Sequence, residues 1–474
     1  MVGLPILWMA LLTSCAGWSG LGANGPVPPN IVVILADDLG YGDLGCYGHP
    51  TIRTPHLDRM AREGARFTEF YSAAEVCTPS RAALLTGRYP IRSGMCHNQF
   101  RVLRNNSTGG LPHGEVTLAE TLKQHGYSTA CIGKWHLGVF SIHPDHHPSR
   151  HGFDYFFGLP HSNDMDPRPG NPAGAPGKLE QDPAWWNSPL YRNQQVIERP
   201  ADQTTLTRRY AEESVAFIRA NQGKPFFLYL PHTFPHIPLF ASGDFRGKSP
   251  RGLYGDVVEE LDHSVGKILN SIRELGLDQN TLVVFSSDNG PWTAHNLAGG
   301  SAGLLRGGKG STWEGGMRVP GIFWGPGIVR GNQVIAEPAS LMDLFTTCTL
   351  LGGGQIPRDR EIDGLDLRPV LKGEGASPRK EMLYYRGQQL FAARVGDFKA
   401  HFLTQAGYGE PKAVAHDPPL LFNLKVDPSE TTNVAMAHPD MVAKIREAVD
   451  RHRSGLKVVE SQLIGQVAAP KTKP

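Results

Sequence analysis

Near its N-terminus the chain reads Ile31-Val32-Val33-Ile34-Leu35-Ala36-Asp37-Asp38. The first five of these residues form an uninterrupted, mostly β-branched apolar run that follows two prolines. Such a run predicts a strand buried on both faces, as in a parallel sheet covered by helices. The run ends at two aspartates, and open α/β sheets bind ligands at the carboxyl ends of their strands. Asp37 and Asp38 are therefore candidate site residues.

Three further apolar runs have the same form and also end in polar side chains. They cover residues 127–132, 225–230 and 281–285. The side chains that follow them are Lys134 and His136, His232 and His236, and Asp288 and Asn289. Any one of these taken alone is more often a turn, packing or surface residue. Because parallel strands of one sheet share an edge, we expect the whole set to lie together.

Helical segments fit between these runs. Residues 204–220 and 256–275 have amphipathic helical periodicity. Thr117 and Glu120 form a capping box for a helix that ends at Gly126, and Thr54-Pro55 opens another helix. Alternating strands and helices predict an α/β fold with a largely parallel sheet covered on both sides.

Four of the strand-end side chains offer only oxygen as a ligand atom: Asp37, Asp38, Asp288 and Asn289. Carboxylates with an amide carbonyl, and without a thiolate, suit a hard cation such as Ca²⁺ or Mg²⁺. Such an ion would offset carboxylate charges that are costly to crowd together. The sequence therefore predicts a divalent-cation site at this edge.

A second informative segment, at 77–88, reads Cys-Thr-Pro-Ser-Arg-Ala-Ala-Leu-Leu-Thr-Gly-Arg. Pro79 suits the first turn of a helix, and Gly87 can end that helix. Cys77 is thus expected just before a helix N-terminus, where unpaired N–H groups and the helix dipole favour an anion. Arg81, one turn further along, can point at the same anion. A lone cysteine here would be read as buried packing, but the Pro and Arg at fixed offsets favour a site.

Segment 77–88 carries the signature of sulfatases, and the chain resembles that family from residue 30 to about residue 433. The resemblance is strongest to the arylsulfatase A and N-acetylgalactosamine-6-sulfatase branch. The other segments that carry it are 36–49, 133–138, 287–290, 307–318, 362–367, 398–402 and 421–430.

The resemblance implies the alkaline phosphatase superfamily fold: a large mixed sheet between helices, with a smaller C-terminal domain of antiparallel sheet plus helix. We expect a catalytic domain at 28–377, a small α+β domain at 378–460 and a tail at 461–474. Within the small domain, residues 394–402 and 420–424 are predicted strands, and residues 441–453 the last helix.

The resemblance also implies roles for individual residues. Calcium ligands would be Asp37, Asp38, Asp288 and Asn289, with Cys77 completing the site after its oxidation to formylglycine. Arg81 and Lys134 would hold the hydrated aldehyde. Lys309 and His236 would bind sulfate oxygens and assist the leaving group, and His136 would take a proton from the second hydroxyl. Ser162 lies where the family often has a polar contact with substrate, although an ordinary loop serine is an equal alternative.

The implied reaction is hydrolysis of a sulfate monoester, either an aryl sulfate or a sulfated sugar. It would proceed through a covalent sulfated formylglycine hydrate at position 77. Two alternatives stay open at this point. One is a phosphodiester or phosphonate monoester hydrolase of the same superfamily. The other is an unmatured protein that binds sulfated glycan without turnover.

The charge balance of the chain indicates its partners, and its N-terminal segment indicates its compartment. Lys+Arg 47 against Asp+Glu 45 leaves almost no net charge, which argues against nucleic acid as a partner. Residues 1–23 are predicted to be a signal peptide, either of the ordinary kind or of the lipoprotein kind with Cys15 lipidated. We therefore expect an exported protein, periplasmic, lipid-anchored or secreted, and lysosomal in an animal host. A maturation enzyme for Cys77 and a homodimer are the other expected partnerships. The remaining cysteines are predicted to be buried thiols, or to include one disulfide.

Overall fold

The computed structural model describes residues 27–170, 182–408 and 412–467. The predicted signal peptide, with Cys15, lies outside these residues, as do 468–474 of the predicted tail. The strands are β1 (Asn30–Ala36), β2 (Ala65–Tyr71), β3 (Ser128–Lys134), β4 (Tyr155–Leu159), β5 (Leu190–Arg192), β6 (Gln195–Glu198), β7 (Phe226–Pro231), β8 (Thr281–Ser287), β9 (Arg318–Trp324), β10 (Gln333–Ile335), β11 (Ala339–Ser340), β12 (Glu381–Arg386), β13 (Gln389–Val395), β14 (Phe398–Thr404) and β15 (Val414–Asn423). The α-helices are α1 (Pro55–Glu63), α2 (Cys77–Thr86), α3 (Pro90–Ser93), α4 (Leu118–Lys123), α5 (Leu206–Ala220), α6 (Leu253–Glu274), α7 (Glu314–Met317), α8 (Asp343–Leu351), α9 (Arg368–Leu371) and α10 (Pro439–Gly455).

Within the described residues, eleven strands form one large mixed sheet. Its order is β10-β2-β9-β8-β1-β7-β3-β4-β5-β6, and β11 pairs with β2. The central strands β8, β1, β7, β3 and β4 are mutually parallel, whereas β9 runs antiparallel to both β2 and β8. The predicted mixed sheet is confirmed.

Strand β1 shows why its apolar run is uninterrupted. Ile31, Val33 and Leu35 pack into one hydrophobic core, which includes residues of α2, α4 and α8. The alternate residues Val32, Ile34 and Ala36 pack into a second core, with α1, α5 and α6. Because each face of the sheet meets its own layer of helices, both sets of side chains are buried.

A separate four-stranded antiparallel sheet follows, in the order β12-β13-β14-β15, and helix α10 packs on it through Ile445 and Val449. The expectation of one strand over 394–402 is wrong. Val395 pairs with Phe398, so a tight turn at Gly396-Asp397 divides that range between β13 and β14. Gly396 has a φ of 58°, a conformation that glycine adopts without the steric cost of a Cβ.

The last described residues lie against the large domain. Gln462 N–H donates to Gly94 O at 2.9 Å, Ser107 and Gln466 form an isolated bridge, and Leu463 is fully buried. The beginning of the predicted tail, 461–467, is therefore packed against the protein.

The cysteines of the described residues, Cys46, Cys77, Cys96, Cys131 and Cys348, are all free thiols. None of the helices in ranges 27–170, 182–408 and 412–467 has the length and apolarity needed to cross a bilayer.

Close contact between β3 and β7 generates a stability prediction. Gly133 has a φ of 132°, and a Cβ placed there would lie 1.9 Å from the Pro231 carbonyl oxygen. We expect Gly133→Ala to lower the free energy of unfolding by about 2–4 kcal/mol, from steric overlap and backbone strain together. Urea titration measures this. Gly223→Ala is the control, because nothing lies within 4 Å of its added Cβ. Equal stability of the two variants would contradict the prediction.

Candidate active site

Four neighbouring parallel strands deliver the site. Because β8, β1, β7 and β3 are adjacent and run in the same direction, their carboxyl ends meet at one edge of the sheet. That edge carries Asp37 and Asp38 after β1, Asp288 and Asn289 after β8, His236 beyond β7, and Lys134 and His136 at the end of β3. All of these side chains are buried.

Asp37 is the most heavily paired carboxylate of the group. Its Oδ2 lies 2.5 Å from Lys134 Nζ and 3.3 Å from Arg81 Nη2, and its Oδ1 lies 3.7 Å from Cys77 Sγ. Burial by itself would raise the pKa of Asp37, but the charges of Lys134 and Arg81 outweigh it and hold that pKa far below its ordinary value. Asp37 is therefore ionised at any physiological pH.

Arg81 joins the ends of β1, β3 and β8. Its Nε and Nη2 lie 3.0 and 2.8 Å from Asp288 Oδ2, and its Nη1 donates to the Lys134 carbonyl oxygen at 2.9 Å. The guanidinium is fully buried between Asp37 and Asp288. It thus separates two carboxylates that would otherwise face each other without compensation.

Asp38 has a φ of 62°, a left-handed backbone conformation that non-glycine residues adopt rarely. Its N–H donates to Asp288 Oδ1 at 3.2 Å, and its Oδ1 accepts a hydrogen bond from Asn289 Nδ2 at 2.8 Å. Its Oδ2 lies 2.8 Å from Lys309 Nζ and 3.6 Å from His236 Nε2. These contacts bring Lys309 and His236, far apart in sequence, to the strand edge.

A metal ion fits this edge. One ligand atom from each of Asp37, Asp38, Cys77 and His236 lies within 4.8 Å of every other. The Oδ1 atom of Asn289 is buried and has no hydrogen-bond partner, which leaves an oxygen acceptor free for a cation. Asp288 is not in that four-atom group, because its carboxylate lies against Arg81 and the Asp38 N–H.

Cys77 occupies the first turn of α2. The helix begins at Cys77 itself, so the expectation that Cys77 would precede the helix is one residue off, within the usual uncertainty of helix ends. The pKa of the Cys77 thiol is raised to about 12, chiefly by burial; the charges of Lys134 and Lys309 act to lower it, and those of Asp37 and Asp288 act to raise it. An unmodified Cys77 would therefore remain a protonated, weak nucleophile at neutral pH.

His136 is held as a defined neutral tautomer. Its Nε2 lies 2.8 Å from the Leu103 carbonyl oxygen, which can only accept, so Nε2 carries the proton. Its Nδ1 is buried without a partner. Burial first, and then the charge of Lys134, lowers the pKa of His136 well below its ordinary value. The ring is thus neutral, and its Nδ1 lone pair is free to accept a hydrogen bond.

His236 and Ser162 form a second polar contact. His236 Nδ1 donates to the Ile237 carbonyl oxygen at 2.5 Å and lies 3.5 Å from Ser162 Oγ. Nε2 of His236 consequently faces Asp38. Ser162 is buried beside it, so the loop serine belongs to the site geometrically. His232 does not: it packs against Tyr210 and lies 3.4 Å from Ser264 Oγ, within the helix layer.

Two aromatic residues at the site were missed by sequence reasoning. The Lys309 ammonium lies 4.4 Å from the centre of the Trp292 ring, which is in turn 5.7 Å from Tyr408 and 5.6 Å from His236. Because Trp292 closely follows segment 287–290 in sequence, that segment could have indicated Trp292 as a site residue. Tyr408 lies in the small domain, and no local pattern connects it with the strand edge.

Asp164 was missed as well. Its Oδ1 is buried and has no hydrogen-bond partner. Burial by itself would raise the pKa of Asp164, but His236 and Lys134 outweigh it and lower that pKa. Asp164 is therefore an anion close to the cations of the site.

Comparison with known proteins agrees with this geometry. The family model "Sulfatase" matches residues 29–353, and the model "C-terminal region of aryl-sulfatase" matches residues 377–473. The chain belongs to the sulfatase family. It is a sulfuric ester hydrolase, like the curated relatives that it matches.

Three relatives illustrate the match. Human arylsulfatase A is 43% identical over 446 residues, covering 89% of this chain and 87% of the relative. The N-acetylgalactosamine-6-sulfatase of Canis lupus familiaris is 40% identical over 507 residues, covering 96% and 93%. The crystal structure of the PsFucS1 sulfatase from Pseudoalteromonas sp. is 29% identical, covers 90% of each chain and has a TM-score of 0.79. The predicted resemblance to the arylsulfatase A and N-acetylgalactosamine-6-sulfatase branch is confirmed.

The central position of Arg81 generates a prediction. Arg81→Gln would leave Asp37 and Asp288 buried without their shared cation, so we expect a loss of about 3–5 kcal/mol in the free energy of unfolding of metal-free protein. Arg208→Gln is the matched control, because Arg208 pairs with Glu212 on the surface and such pairs contribute about 0.5 kcal/mol. Urea titration of both variants in a chelator measures the difference. A loss for Arg81→Gln as small as the control's would contradict the structural role assigned to Arg81.

Proposed function

We propose that this sulfatase hydrolyses sulfate monoesters, either aryl sulfates or sulfated sugars. The nucleophile would be residue 77, after oxidation of Cys77 to formylglycine by a maturation enzyme. The observation that carries the proposal is the setting of Cys77. It lies in the first turn of α2, at the end of the helix that favours an anion, and Lys134, Lys309 and Arg81 converge on the carboxylates beside it. This is a cationic, buried cradle of the kind a sulfate group needs.

An aldehyde hydrate at position 77 would supply one hydroxyl as nucleophile and a second for release of the sulfate. An unmodified thiol at this position would be protonated, because burial raises its pKa, and so would be a weak nucleophile. A plain hydroxyl or thiol lacks the second hydroxyl, so its sulfate ester would be trapped.

The cations of the site would spread the negative charge of the sulfate as its S–O bond breaks. Lys309 Nζ lies 2.8 Å from Asp38 Oδ2, and His236 Nε2 lies 3.6 Å from the same oxygen, so we assign both to the sulfate oxygens and the leaving group. Arg81 and Lys134 lie on the Asp37 side, next to Cys77, and we assign them to the nucleophile. Ser162 would assist through its contact with His236.

Proton transfer has two candidate groups. We assign His136 as the proton acceptor for the second hydroxyl, because its Nδ1 carries a free lone pair and its ring is neutral. His236 would donate a proton from Nε2 to the leaving oxygen after taking one up. Burial and the charge of Lys309 lower the pKa of His236, and the facing Asp38 carboxylate opposes that shift.

A divalent cation, Ca²⁺ in our proposal, would be held by Asp37, Asp38, Asp288, Asn289 and position 77. It would supply electrostatic polarisation of the sulfate oxygens. Support comes from the oxygen-rich donor set, from the unpartnered Asn289 Oδ1, and from the carboxylates crowded at the edge.

The substrate and the compartment are also proposals. A sulfated small molecule or sulfated glycan fits the cationic cradle, and the apolar stretch at residues 4–12 supports export.

The nucleophile can be tested by Cys77→Ser. We expect the variant to fold and to release at most one aryl alcohol per site from a chromogenic aryl sulfate, because its sulfate ester cannot be expelled. Stopped-flow absorbance measures the burst and the steady state. Peptide mass spectrometry of the active wild-type protein is the companion measurement, and we expect the aldehyde at position 77. Sustained turnover by Cys77→Ser, or an intact Cys77 thiol in active protein, would refute the mechanism. Parallel assays with aryl phosphate diesters and phosphonates test whether sulfate is the preferred group.

The cation can be tested by its effect on stability. Adding Ca²⁺ at about one hundred times its Kd to chelator-treated protein should stabilise the fold by about 2.7 kcal/mol, because the ion binds the folded state alone. Thermal unfolding with and without Ca²⁺ or Mg²⁺ measures this. Asp38→Asn should abolish the shift, whereas the surface variant Asp366→Asn should retain it, since Asp366 pairs with Arg368 and that pair is partly exposed. A shift that survives in Asp38→Asn would place the ion elsewhere.

A further inference from the structure

Segment 306–314, which carries Lys309, is contacted from the small domain. Arg386 of β12 donates from Nε to the Gly310 carbonyl oxygen at 2.9 Å. Lys399 of β14 donates from Nζ to the Thr312 carbonyl oxygen at 2.8 Å. The backbone carbonyl groups of Gly310 and Thr312, shortly after Lys309 in sequence, thus each accept a hydrogen bond from a cationic side chain of the small domain.

A buried ionic cluster lies beneath the same segment. Lys399 Nζ is 2.8 Å from Glu314 Oε1 and 3.1 Å from Glu430 Oε1. Glu430 Oε2 accepts the Glu314 N–H at 2.6 Å, and His401 Nε2 lies 2.6 Å from Glu430 Oε1. These four side chains are fully buried. We refer to Arg386, Lys399, His401 and Glu430 together as the clasp.

Ring contacts complete the attachment. Trp313 lies against His401, with ring centres 4.2 Å apart. The Arg306 guanidinium lies 3.8 Å from the centre of the Trp313 ring and also donates to the Glu430 carbonyl oxygen at 3.1 Å. The segment is therefore bound to the clasp at both of its ends and in its middle.

Three of the segments that carry the family resemblance meet at this point: 307–318, 398–402 and 421–430. A buried group of several charges is a costly way to stabilise a domain contact, since apolar side chains of the same volume often stabilise at least as well. What hydrogen-bonded charges do provide is a fixed geometry. The position they fix is that of the backbone around Lys309.

We propose that the clasp is a positioning device of the catalytic reaction, which sets where the Lys309 ammonium stands beside Asp38. This inference rests on the proposed role of Lys309 in stabilising the sulfate and leaving oxygens. It makes the small domain a functional part of the active site, although none of the clasp residues is a catalytic residue itself.

A double-mutant cycle tests the proposal, with Arg386→Gln as the clasp variant because Arg386 is only partly buried and the variant keeps a polar side chain. A displacement of Lys309 by about 1 Å would lower kcat by about a hundredfold. In a Lys309→Ala background the same change should have almost no further effect, because the positioned group is absent. Among aryl sulfates of graded leaving-group pKa, both single variants should depend more steeply on that pKa than the wild type. Arg386→Lys, which keeps a donor, should recover part of kcat.

Arg451→Gln is the control on the same domain, because Arg451 pairs with Glu381 at the surface, away from the segment. Its kcat and leaving-group dependence should equal those of the wild type.

A hundredfold loss that persists in the Lys309→Ala background, or an unchanged leaving-group dependence in Arg386→Gln, would overturn the positioning role. Full activity of Lys309→Ala would instead refute the proposed function on which the inference rests. If Arg386→Gln fails to fold by circular dichroism, the cycle is run with Arg386→Lys, whose loss of kcat should likewise vanish in the Lys309→Ala background.

Discussion

The structure depends on the compensation of buried carboxylates at one edge of a parallel sheet. Asp37, Asp38 and Asp288 are completely or almost completely buried, and an unpaired charge in such a place would be prohibitively costly. Arg81 pairs with both Asp37 and Asp288, and Lys134 also pairs with Asp37. Lys309 pairs with Asp38. The same cations are the groups to which the proposed function assigns the sulfate. Stability of the edge and affinity for an anionic substrate would then come from one set of charges.

The fold holds the strand ends rigidly and brings further groups to this edge from a helix and a loop. Strands β8, β1, β7 and β3 are covered on both faces, so the side chains after their ends are fixed relative to one another to within the precision of a packed core. Groups outside those strands arrive by other means. Cys77 is presented by the first turn of α2, and Lys309 comes on a loop that the small domain holds. Contacts between the small domain and the segment that carries Lys309 thus link the second sheet to this edge.

Much of this could be predicted from sequence where the signal was local. Strands β1, β7 and β8 were predicted from apolar runs, and β3 from a run that also contains Ser128 and Thr129. The α4 capping box was predicted from Thr117 and Glu120, whose reciprocal hydrogen bonds the structure contains. Errors arose where local signals compete. The β-branched and aromatic residues of 394–402 outweighed the Gly396-Asp397 turn, and His232, placed like a site residue, serves the helix layer because its side chain leaves the other face of the strand end.

The sequence by itself determined the sheet, its helix layers, the oxygen-rich strand ends and the family, because periodicity, capping and the 77–88 segment are written in consecutive residues. Only the tertiary structure decided which of those side chains meet: that Arg81 separates Asp37 from Asp288, that Trp292 and Tyr408 flank Lys309, and that Lys399 and Glu430 hold its segment. Such contacts join residues tens to hundreds of positions apart. They depend on strand order and domain docking, which burial of the whole chain selects and no local pattern encodes.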